Sequence, residues 1–322
     1  MDNTEAKIQE VLEALKIADG IYKREAVEAA VVLREEITPY LIGILEDALA
    51  HPNNYIDEPN MAHIYAFILL GFFQETQAHR VMVDLFSLPK EFIDPMYGDL
   101  ITEDLKYMLF RTCGGSVDQI KRLILNKEAY EYCRGAALEV LTYAVVEDII
   151  SREAALEFLG SLFTGNEDDN PDSLFWTFVA DAILQLYPEE LMPLIQKAFD
   201  DNKIDRWFFG PETFIEALEH GKEQTLQKLR EELESRSFKD IHAYMSWWAM
   251  FDQEEKKGFN PIPNLAALQP PARLTGQPGQ PVFKSTPNLE AMQPQRKSKS
   301  QEKAKKKKKR KMAKASKKKN RR

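Results

Sequence analysis

The C-terminal segment, residues 296–322, holds the residues whose types and spacing point most clearly to an activity, which is contact with phosphate groups. It contains 17 lysines and arginines against one acidic residue, Glu302. These cations neutralise backbone phosphates whatever the base sequence, and the segment has no aromatic residue to stack on bases. The sequence therefore predicts nucleic-acid contacts, to RNA, DNA or a ribosome, at Lys305, Lys306, Lys307, Lys308, Lys309, Arg310, Lys311, Lys317, Lys318, Lys319, Arg321 and Arg322.

Two other interpretations of this basic tail stay open. The rest of the chain has 26 basic and 50 acidic residues, so its formal charge is −24 and the tail has an acidic surface within its own chain to contact. Alternatively, the tail is solvated and has no specific partner, because so charged a segment cannot collapse. The charge asymmetry predicts an acidic folded body joined to a basic interaction segment.

Catalytic, cofactor-binding and metal-ligating residues form no recognised pattern. The sequence has no GxxxxGK[ST] phosphate loop, no GxSxG nucleophile elbow and no HExxH helix. Its histidines do not pair at three or four residues on one helix, so no metal site is predicted from their spacing. They are His51, His63, His79, His220 and His242. We expect no enzyme, cofactor or metal; a closed pocket of ionisable groups with shifted pKa values would favour an enzyme instead.

Single residues with reactive or binding chemistry have mainly structural interpretations. His63 lies in an apolar run and is predicted to be a core histidine bonded to a backbone carbonyl. Cys113 and Cys133 are predicted to be small buried fillers, with a reactive thiol as the minor alternative. The acidic run Asn166–Asn170 lacks the spacing of a calcium loop and is predicted to be a solvated turn. The pair Trp247–Trp248 is predicted to close the end of the core, with an aromatic docking site as the alternative.

The expected cellular compartment is inferred from the number of cysteines, the N-terminal sequence and the length of the apolar runs. Two cysteines are too few for a disulfide framework, and the N-terminus is polar and acidic rather than a signal peptide. The longest apolar run, Ala66–Phe73, is far shorter than the ~18 residues that a membrane span requires. A cytoplasmic protein without a membrane span is expected.

The elements that must position any site are helices that repeat. Amphipathic segments recur at Ile37–Ala50, Gln77–Leu88, Val117–Asn126, Arg152–Leu162 and Pro188–Phe199. Their apolar anchors, at spacings of 40, 39, 36 and 38 residues, are Leu41, Val81, Ile120, Leu156 and Leu194. A period just below ~40–47 residues with two helices per unit is typical of HEAT and armadillo arrays. The sequence predicts an all-α, HEAT-like superhelical solenoid of about six helix pairs.

Composition divides the chain into three parts. Residues 1–257 carry the helical periodicity and form the predicted repeat domain. Residues 258–295 contain eight prolines and are predicted to be a disordered linker. Residues 296–322 are the polybasic tail, also predicted to be disordered. Within the repeat domain, Thr38 is expected to cap the second helix of the first unit, with Pro39 in its first turn.

Several segments, in order, resemble a bacterial helical-repeat family classified as domain of unknown function number one-one-eight-six. They are REEITPYLIGILED at Arg34–Asp47, HIYAFILLGFF at His63–Phe73, YGDLITEDL at Tyr97–Leu105, ISREAALEFLGSLF at Ile150–Phe163 and SWWAMF at Ser246–Phe251. The resemblance covers about residues 5–252 and implies a HEAT-like helical array without an assigned activity. Some members of that family end in a cysteine-rich SEC-C zinc motif. No cysteine follows Cys133 here, so that zinc site is not expected.

Repeat arrays of this kind are mostly binding scaffolds, which favours one function over another. We expect a non-catalytic interaction scaffold whose second helices line a concave face that binds a protein or peptide partner. The acidic charge of the body favours a basic partner. The alternative is a nucleic-acid- or ribosome-associated factor, in which the tail supplies affinity.

The tail prediction can be tested through salt dependence. If about six phosphates are neutralised on a duplex, log K should fall with log salt with a slope near −5, for any duplex sequence. Fluorescence anisotropy with two unrelated duplexes between ~50 and ~200 mM salt measures that slope. A chain ending at Gln295 is the control and should lose the binding. The absence of binding by the full chain at ~50 mM salt would contradict the prediction.

Overall fold

The computed structural model describes residues 3–163, 173–236 and 238–251, and these residues form helices and connecting turns without a named strand. The α-helices are α1 Asn3–Lys16, α2 Arg24–Val32, α3 Arg34–Ala50, α4 Asn53–Ile56, α5 Ala62–Phe73, α6 His79–Leu85, α7 Lys90–Tyr97, α8 Leu100–Glu103, α9 Leu105–Thr112, α10 Asp118–Leu125, α11 Glu131–Val146, α12 Arg152–Leu162, α13 Phe175–Gln185, α14 Met192–Asp200, α15 Pro211–His220, α16 Lys222–Ser235 and α17 Ile241–Met245. Short 3-10 turns lie at Thr76–Ala78, Glu189–Leu191 and Ala249–Phe251. The all-α prediction is therefore confirmed for the described residues.

The helices pack in two rows, as repeated helix pairs require. One row runs α5, α9, α11 and α13, each packed against the next. The second row contains α3, α6, α10 and α12, which pack against the first row and bury its apolar side. Within the first row, α5 and α9 approach closely at Gly71 of α5. A Cβ at that position would lie 2.0 Å from the sulfur of Met108 on α9. The curvature of a solenoid stays a prediction.

The two central helices are buried on nearly every side. Eleven of the 12 residues of α5 and 13 of the 16 residues of α11 are buried. The α5 segment is nearly apolar all round in the sequence, and a helix of that kind needs neighbours on all sides. The neighbours of α11 are α8, α9, α10, α12, α13 and, from further along the chain, α16.

Arginine side chains satisfy the carbonyl groups at the ends of neighbouring helices. The last carbonyls of a helix have no partner within it, so a buried end needs an external donor. Four arginines supply one across the helix pairs, and three of the contacts measure 2.6–2.8 Å. The donor–acceptor pairs are Arg34–Phe73, Arg111–Gly71, Arg134–Ile124 and Arg152–Leu186. These bonds join successive helix pairs in addition to apolar packing.

The boundary within the first helix pair differs from the prediction. α2 ends at Val32 and α3 already begins at Arg34, so Thr38 and Pro39 lie inside α3. Thr38 is buried, and its hydroxyl donates to the Arg34 carbonyl at 2.7 Å rather than capping the helix. Pro39 is the sixth residue of α3, beyond the first turn in which it was expected, so its missing N–H costs the helix one intrahelical hydrogen bond.

The C-terminal end of the repeat region turns back towards the N-terminal helices. We call residues 238–251 the C-terminal cover. Its Phe238 ring packs against Tyr107 of α9 at 6.0 Å, and its Phe251 ring stacks on Tyr65 of α5 at 5.8 Å. The cover thus lies across the first row of helices. An end cap would instead pack on the last helix pair.

Polar contacts hold the C-terminal cover in register on the N-terminal helices. The His242 imidazole lies 2.8 Å from the Tyr22 hydroxyl and 2.7 Å from a carboxylate oxygen of Glu28 on α2. The Tyr244 hydroxyl donates to the buried carboxylate of Asp104. Burial is the main cause that raises the pKa of Asp104. Buried polar groups need such specific partners, so these contacts favour one placement of the cover over others.

The tryptophan pair is only partly a core element, which corrects the prediction. Trp248 is buried and packs against Tyr244 and Phe251. Trp247 is 69% exposed. Neither residue closes the end of the last helix pair, because the cover runs to α2, α5 and α9 instead. Their position after the last helix pair and the apolar residues beside them predict an end cap, but tertiary packing buries only Trp248, and against other helices.

The predicted linker 258–295 and tail 296–322 lie outside the described residues, so these assignments stay predictions. The described helices all belong to one compact unit, Met1–Asn260. Among the described residues, none of the helices provides enough continuous apolar length for a bilayer span.

The two tryptophans make a matched test of the C-terminal cover. Trp248→Ala removes a buried ring and should lower the free energy of unfolding by about 3 kcal/mol. Trp247→Ala removes a mostly exposed ring and should change it by less than about 0.5 kcal/mol. Urea denaturation followed by circular dichroism measures both values. Equal losses for the two variants would show that the cover does not pack as described.

Candidate functional site

The nucleic-acid-binding residues predicted between Lys305 and Arg322 lie outside the described residues, so their prediction stays untested. Of the other sequence candidates, His63 lies in the core. The Nε2–H of His63 donates to the Met96 carbonyl at 2.9 Å, and burial lowers the pKa of His63 to about 4. His63 is therefore a neutral core histidine, as predicted. The acidic run Asn166–Asn170 also lies outside the described residues.

Both cysteines are buried and neither forms a disulfide. Burial raises the pKa of Cys133, so the alternative of a thiol activated beside Arg134 is wrong. The guanidinium of Arg134 instead lies 3.6 Å from the centre of the Phe175 ring and donates to the Ile124 carbonyl. Thiol chemistry is thus not supported at Cys133.

A surface groove that the sequence did not reveal lies where α11 and α13 meet the C-terminal helices. Two adjoining pockets of about 280 and 520 Å³ share one lining residue, Asp181. We call the two together the acidic groove. Its carboxylate side chains come from α11, α13, α15 and α16, and they are Glu139, Asp181, Glu216 and Glu232. The cationic side chain that lines the same pockets is Lys228.

The larger pocket lies between α13, α15 and α16. Its walls combine apolar side chains, such as Leu184 and Leu229, with the amides of Gln185 and Gln224. α15 begins at Pro211 and ends before Gly221, whose φ of +86° permits the sharp turn into α16. This hairpin brings acidic α15 and α16 residues over the edge of α13.

Hydrogen bonds fix the central carboxylate. Asp181 and Gln185 lie one turn apart on α13, and the Gln185 Nε2 donates to the Asp181 Oδ2 at 2.8 Å. The Gln185 Oε1 in turn accepts a bond from the Thr142 hydroxyl of α11 at 3.2 Å. The Asp181 carboxylate is therefore held in place by an amide and not by a cation.

A lysine from α9 pairs with the second carboxylate. The Lys106 ammonium contacts Glu139 of α11 and also lies 5.4 Å from the centre of the Tyr107 ring. Burial favours the neutral form of Lys106, but Glu139 outweighs it and the pKa of Lys106 is raised. Lys106 also interacts electrostatically with Asp181. The buried Lys106 ammonium thus interacts with both Glu139 and Asp181, so this cluster has more acidic than basic groups.

Burial raises the pKa values of both carboxyl groups. Removal of water is the largest cause for Asp181, opposed by its bond from Gln185. It is also the largest cause for Glu139, and it outweighs the pairing with Lys106. Nearby Glu232 adds repulsion to both. The groove therefore holds negative charge at a cost, and an incoming cation would relieve that cost.

Aromatic side chains form the other end of the acidic groove. The smaller pocket is lined by Tyr132 and Phe178 and by Phe208 and Phe209 of the loop before α15. That loop is held against α13, because the Asp205 backbone N–H donates to the Thr177 hydroxyl at 2.9 Å. The neighbouring Trp207 is 83% exposed. Rings beside carboxylates are the combination that binds organic cations.

Sequence reasoning missed this groove because its residues are far apart in the chain. A usable signal was present in two helices. Glu139 and Asp181 are acidic residues within otherwise apolar helical runs, where an unpaired charge is expensive. That signal marks the two residues as unusual, but it does not show that α11 and α13 place them in one groove.

The chain belongs to the family described as "Protein of unknown function (DUF1186)", whose model matches residues 6–252. The family resemblance is thereby confirmed. Apart from the first residues of α1, the described helices, the C-terminal cover and the acidic groove fall within that match.

Two chlamydial proteins are similar to this chain. A protein of Chlamydia muridarum (strain MoPn / Nigg) is 36% identical over 215 residues, which is 66% of this chain and 85% of the relative. A protein of Chlamydia trachomatis serovar D is 36% identical over 215 residues, covering 66% of this chain and 84% of the relative. Both are titled "Uncharacterized protein". No solved structure matches the chain.

The raised pKa of Asp181 predicts a pH dependence of stability. A carboxyl whose folded pKa is raised binds protons more tightly in the folded state, so it stabilises at low pH and destabilises as pH rises through the folded pKa. Asp181→Asn keeps an oxygen acceptor for Gln185 without the charge. The variant should gain unfolding free energy relative to the unchanged protein as pH rises from about 4 to about 7.

Urea denaturation at a series of pH values measures this difference. Asp57→Asn, at an exposed position outside the groove, is the control and should show no such trend. A constant difference across the pH range for Asp181→Asn would mean that the Asp181 carboxyl does not carry a buried charge.

Proposed function

We propose that this protein is a non-catalytic helical-repeat scaffold that binds a basic segment of a protein partner in the acidic groove. The observation that carries the proposal is the charge of the groove, in which Glu139, Asp181, Glu216 and Glu232 face one lining lysine. Complementary charge at an interface speeds association and selects the partner. The acidic groove, and not a face lined by second helices, is the site we propose.

The shape of the groove supports a peptide rather than a compact small molecule. The two pockets follow one another across α11, α13 and the α15–α16 hairpin, and Asp181 lies at their junction. An extended segment can occupy both pockets with successive side chains. Basic side chains have long apolar stems and charged ends, which match apolar walls beside carboxylates.

An enzyme is the alternative from another class, because Glu139 and Asp181 are ionisable groups with raised pKa values. A closed pocket of such groups would favour an enzyme, whereas both of these pockets open to solvent. Lys106 also already contacts Glu139, as in an ion-pair network that fixes structure. Binding therefore accounts for the groove with fewer assumptions than catalysis.

The second candidate function, a nucleic-acid- or ribosome-associated factor, rests on the sequence of the tail. The family match ends at residue 252, so the 17 cations of residues 296–322 lie beyond it. In this proposal, sequence-independent phosphate contacts come from the tail and the partner segment is selected by the groove.

Peptide binding to the full chain tests the proposed function. A fluorescein-labelled nine-residue peptide of alternating lysine and arginine should bind, and an acidic peptide of the same length should not. Asp181→Asn should weaken binding by about tenfold, since a hydrogen bond to a charged group contributes about 1.5–3 kcal/mol. Fluorescence anisotropy at about 150 mM salt, near physiological screening, measures the affinity.

Glu46→Gln is the matched control, because Glu46 is an exposed acid on α3 outside the groove. It removes the same formal charge and should leave affinity nearly unchanged. Equal weakening by Asp181→Asn and Glu46→Gln would attribute binding to overall charge and would contradict a role for the groove.

A further inference from the structure

The smaller pocket of the acidic groove has the composition of a site for one side chain. We call it the aromatic pocket. It is lined by Tyr132, Phe178, Phe208, Phe209, Glu139 and Asp181. Its volume of about 280 Å³ falls just below the roughly 300–1,000 Å³ of sites that hold drug-sized ligands. It is therefore suited to a single long side chain.

A glycine positions the ring that forms one wall of the aromatic pocket. Phe178 lies so close to α11 that a Cβ at Gly135 would be 2.9 Å from its ring. The ring is also packed against Tyr132, with 5.3 Å between the ring centres. The Phe178 ring is thus fixed over a helix backbone and presents aromatic surface to the pocket.

The helix geometry places a carboxylate beside each part of this wall. Phe178 and Asp181 are three residues apart on α13, and Gly135 and Glu139 are four apart on α11, so each pair shares a helix face. An incoming group can therefore contact an aromatic ring and a carboxylate that lie one helical turn apart. Lys106 contacts Glu139, which leaves Asp181 as the carboxylate held by an uncharged donor.

This arrangement suits a guanidinium better than an ammonium. A guanidinium is planar, stacks on aromatic rings and donates two parallel hydrogen bonds to a carboxylate. A lysine ammonium is compact and strongly hydrated, so it loses more on entering a pocket with aromatic walls. The ring and the carboxylate together therefore discriminate between two side chains of equal charge.

The protein already contains this combination in a partly buried contact between its own helix pairs. The Arg152 guanidinium lies 5.7 Å from the centre of the Tyr187 ring. Its two terminal nitrogens donate to the two carboxylate oxygens of Glu190 at 2.6 and 2.7 Å. In that internal contact the arginine comes from the preceding helix pair. The aromatic pocket presents a ring and a carboxylate on the surface, where the arginine must come from a partner.

We infer that the aromatic pocket binds one arginine side chain of the partner segment, with the guanidinium on the Phe178 ring and its N–H groups donating to Asp181. This inference rests on the proposed function, since it names the residue that the groove selects. Glu216 and Glu232, in the larger pocket, then contact further basic residues without distinguishing lysine from arginine.

The test uses the full chain and three labelled peptides that differ at one position. Each is a nine-residue lysine peptide whose central residue is arginine, lysine or citrulline, the uncharged isostere of arginine. The arginine peptide should bind about tenfold more tightly than the lysine peptide, consistent with about 1.4 kcal/mol from stacking and bidentate bonding. The citrulline peptide should bind no better than the lysine peptide.

Variants assign the discrimination to the pocket. Phe178→Leu should reduce the arginine-to-lysine ratio to nearly one while binding of the lysine peptide persists. Gly135→Ala should do the same by displacing the Phe178 ring, and it serves as a second, independent change to the same wall. Phe158→Leu is the matched control, because Phe158 lies on α12 outside the groove and its change should preserve the ratio.

The outcomes separate this inference from the proposed function. Equal affinity for the arginine and lysine peptides overturns the inference and leaves the groove as a general basic-peptide site. A preference for arginine that survives Phe178→Leu also overturns it, because the preference then arises elsewhere. The absence of binding by all three peptides overturns the proposed function, and the inference with it.

Discussion

Burial of the central helices α5 and α11 on nearly every side is the constraint on which the rest of this structure depends. Most of their residues are buried, and the row formed by α3, α6, α10 and α12 covers only part of them. Further cover must come from elsewhere in the chain. It comes from α16, which packs on α11 and α13, and from residues 238–251, which reach α5 and α2. The C-terminal part of the family region is thus an integral layer of the core.

Polar contacts decide where that added layer lies. Apolar packing is non-directional, so aromatic rings alone would allow the C-terminal cover to slide along the helices beneath it. Tyr22 and Glu28 hold His242, and Asp104 holds Tyr244, at separations of 140 to 220 residues along the chain. Each of these groups loses solvation if it is misplaced, which penalises alternative registers. The arginine contacts between helix pairs act in the same way within the repeat itself.

The acidic groove lies where α16 no longer covers α11 and α13. Beyond α16, the turn of α13 that carries Phe178 and Asp181 and the turn of α11 that carries Gly135 and Glu139 are left facing a pocket. Two partly buried carboxyls with raised pKa values are locally unfavourable, although the Lys106 ammonium and the bond from Gln185 offset part of that cost. A protein that keeps a locally unfavourable arrangement commonly uses it for binding or catalysis. Here the accompanying aromatic walls favour a cationic ligand.

The sequence by itself determined the all-α class, the period of the repeat, the core position of His63 and the family. These follow from local periodicity and from ordered segment matches, which need no knowledge of distant contacts. Only the tertiary structure decided where the C-terminal cover packs, which tryptophan is buried, and that Glu139 and Asp181 meet in one groove. The physical reason is that each depends on contacts between residues tens to hundreds of positions apart. Apolar pattern shows that a helix needs cover, but it does not show which segment supplies that cover or where it ends.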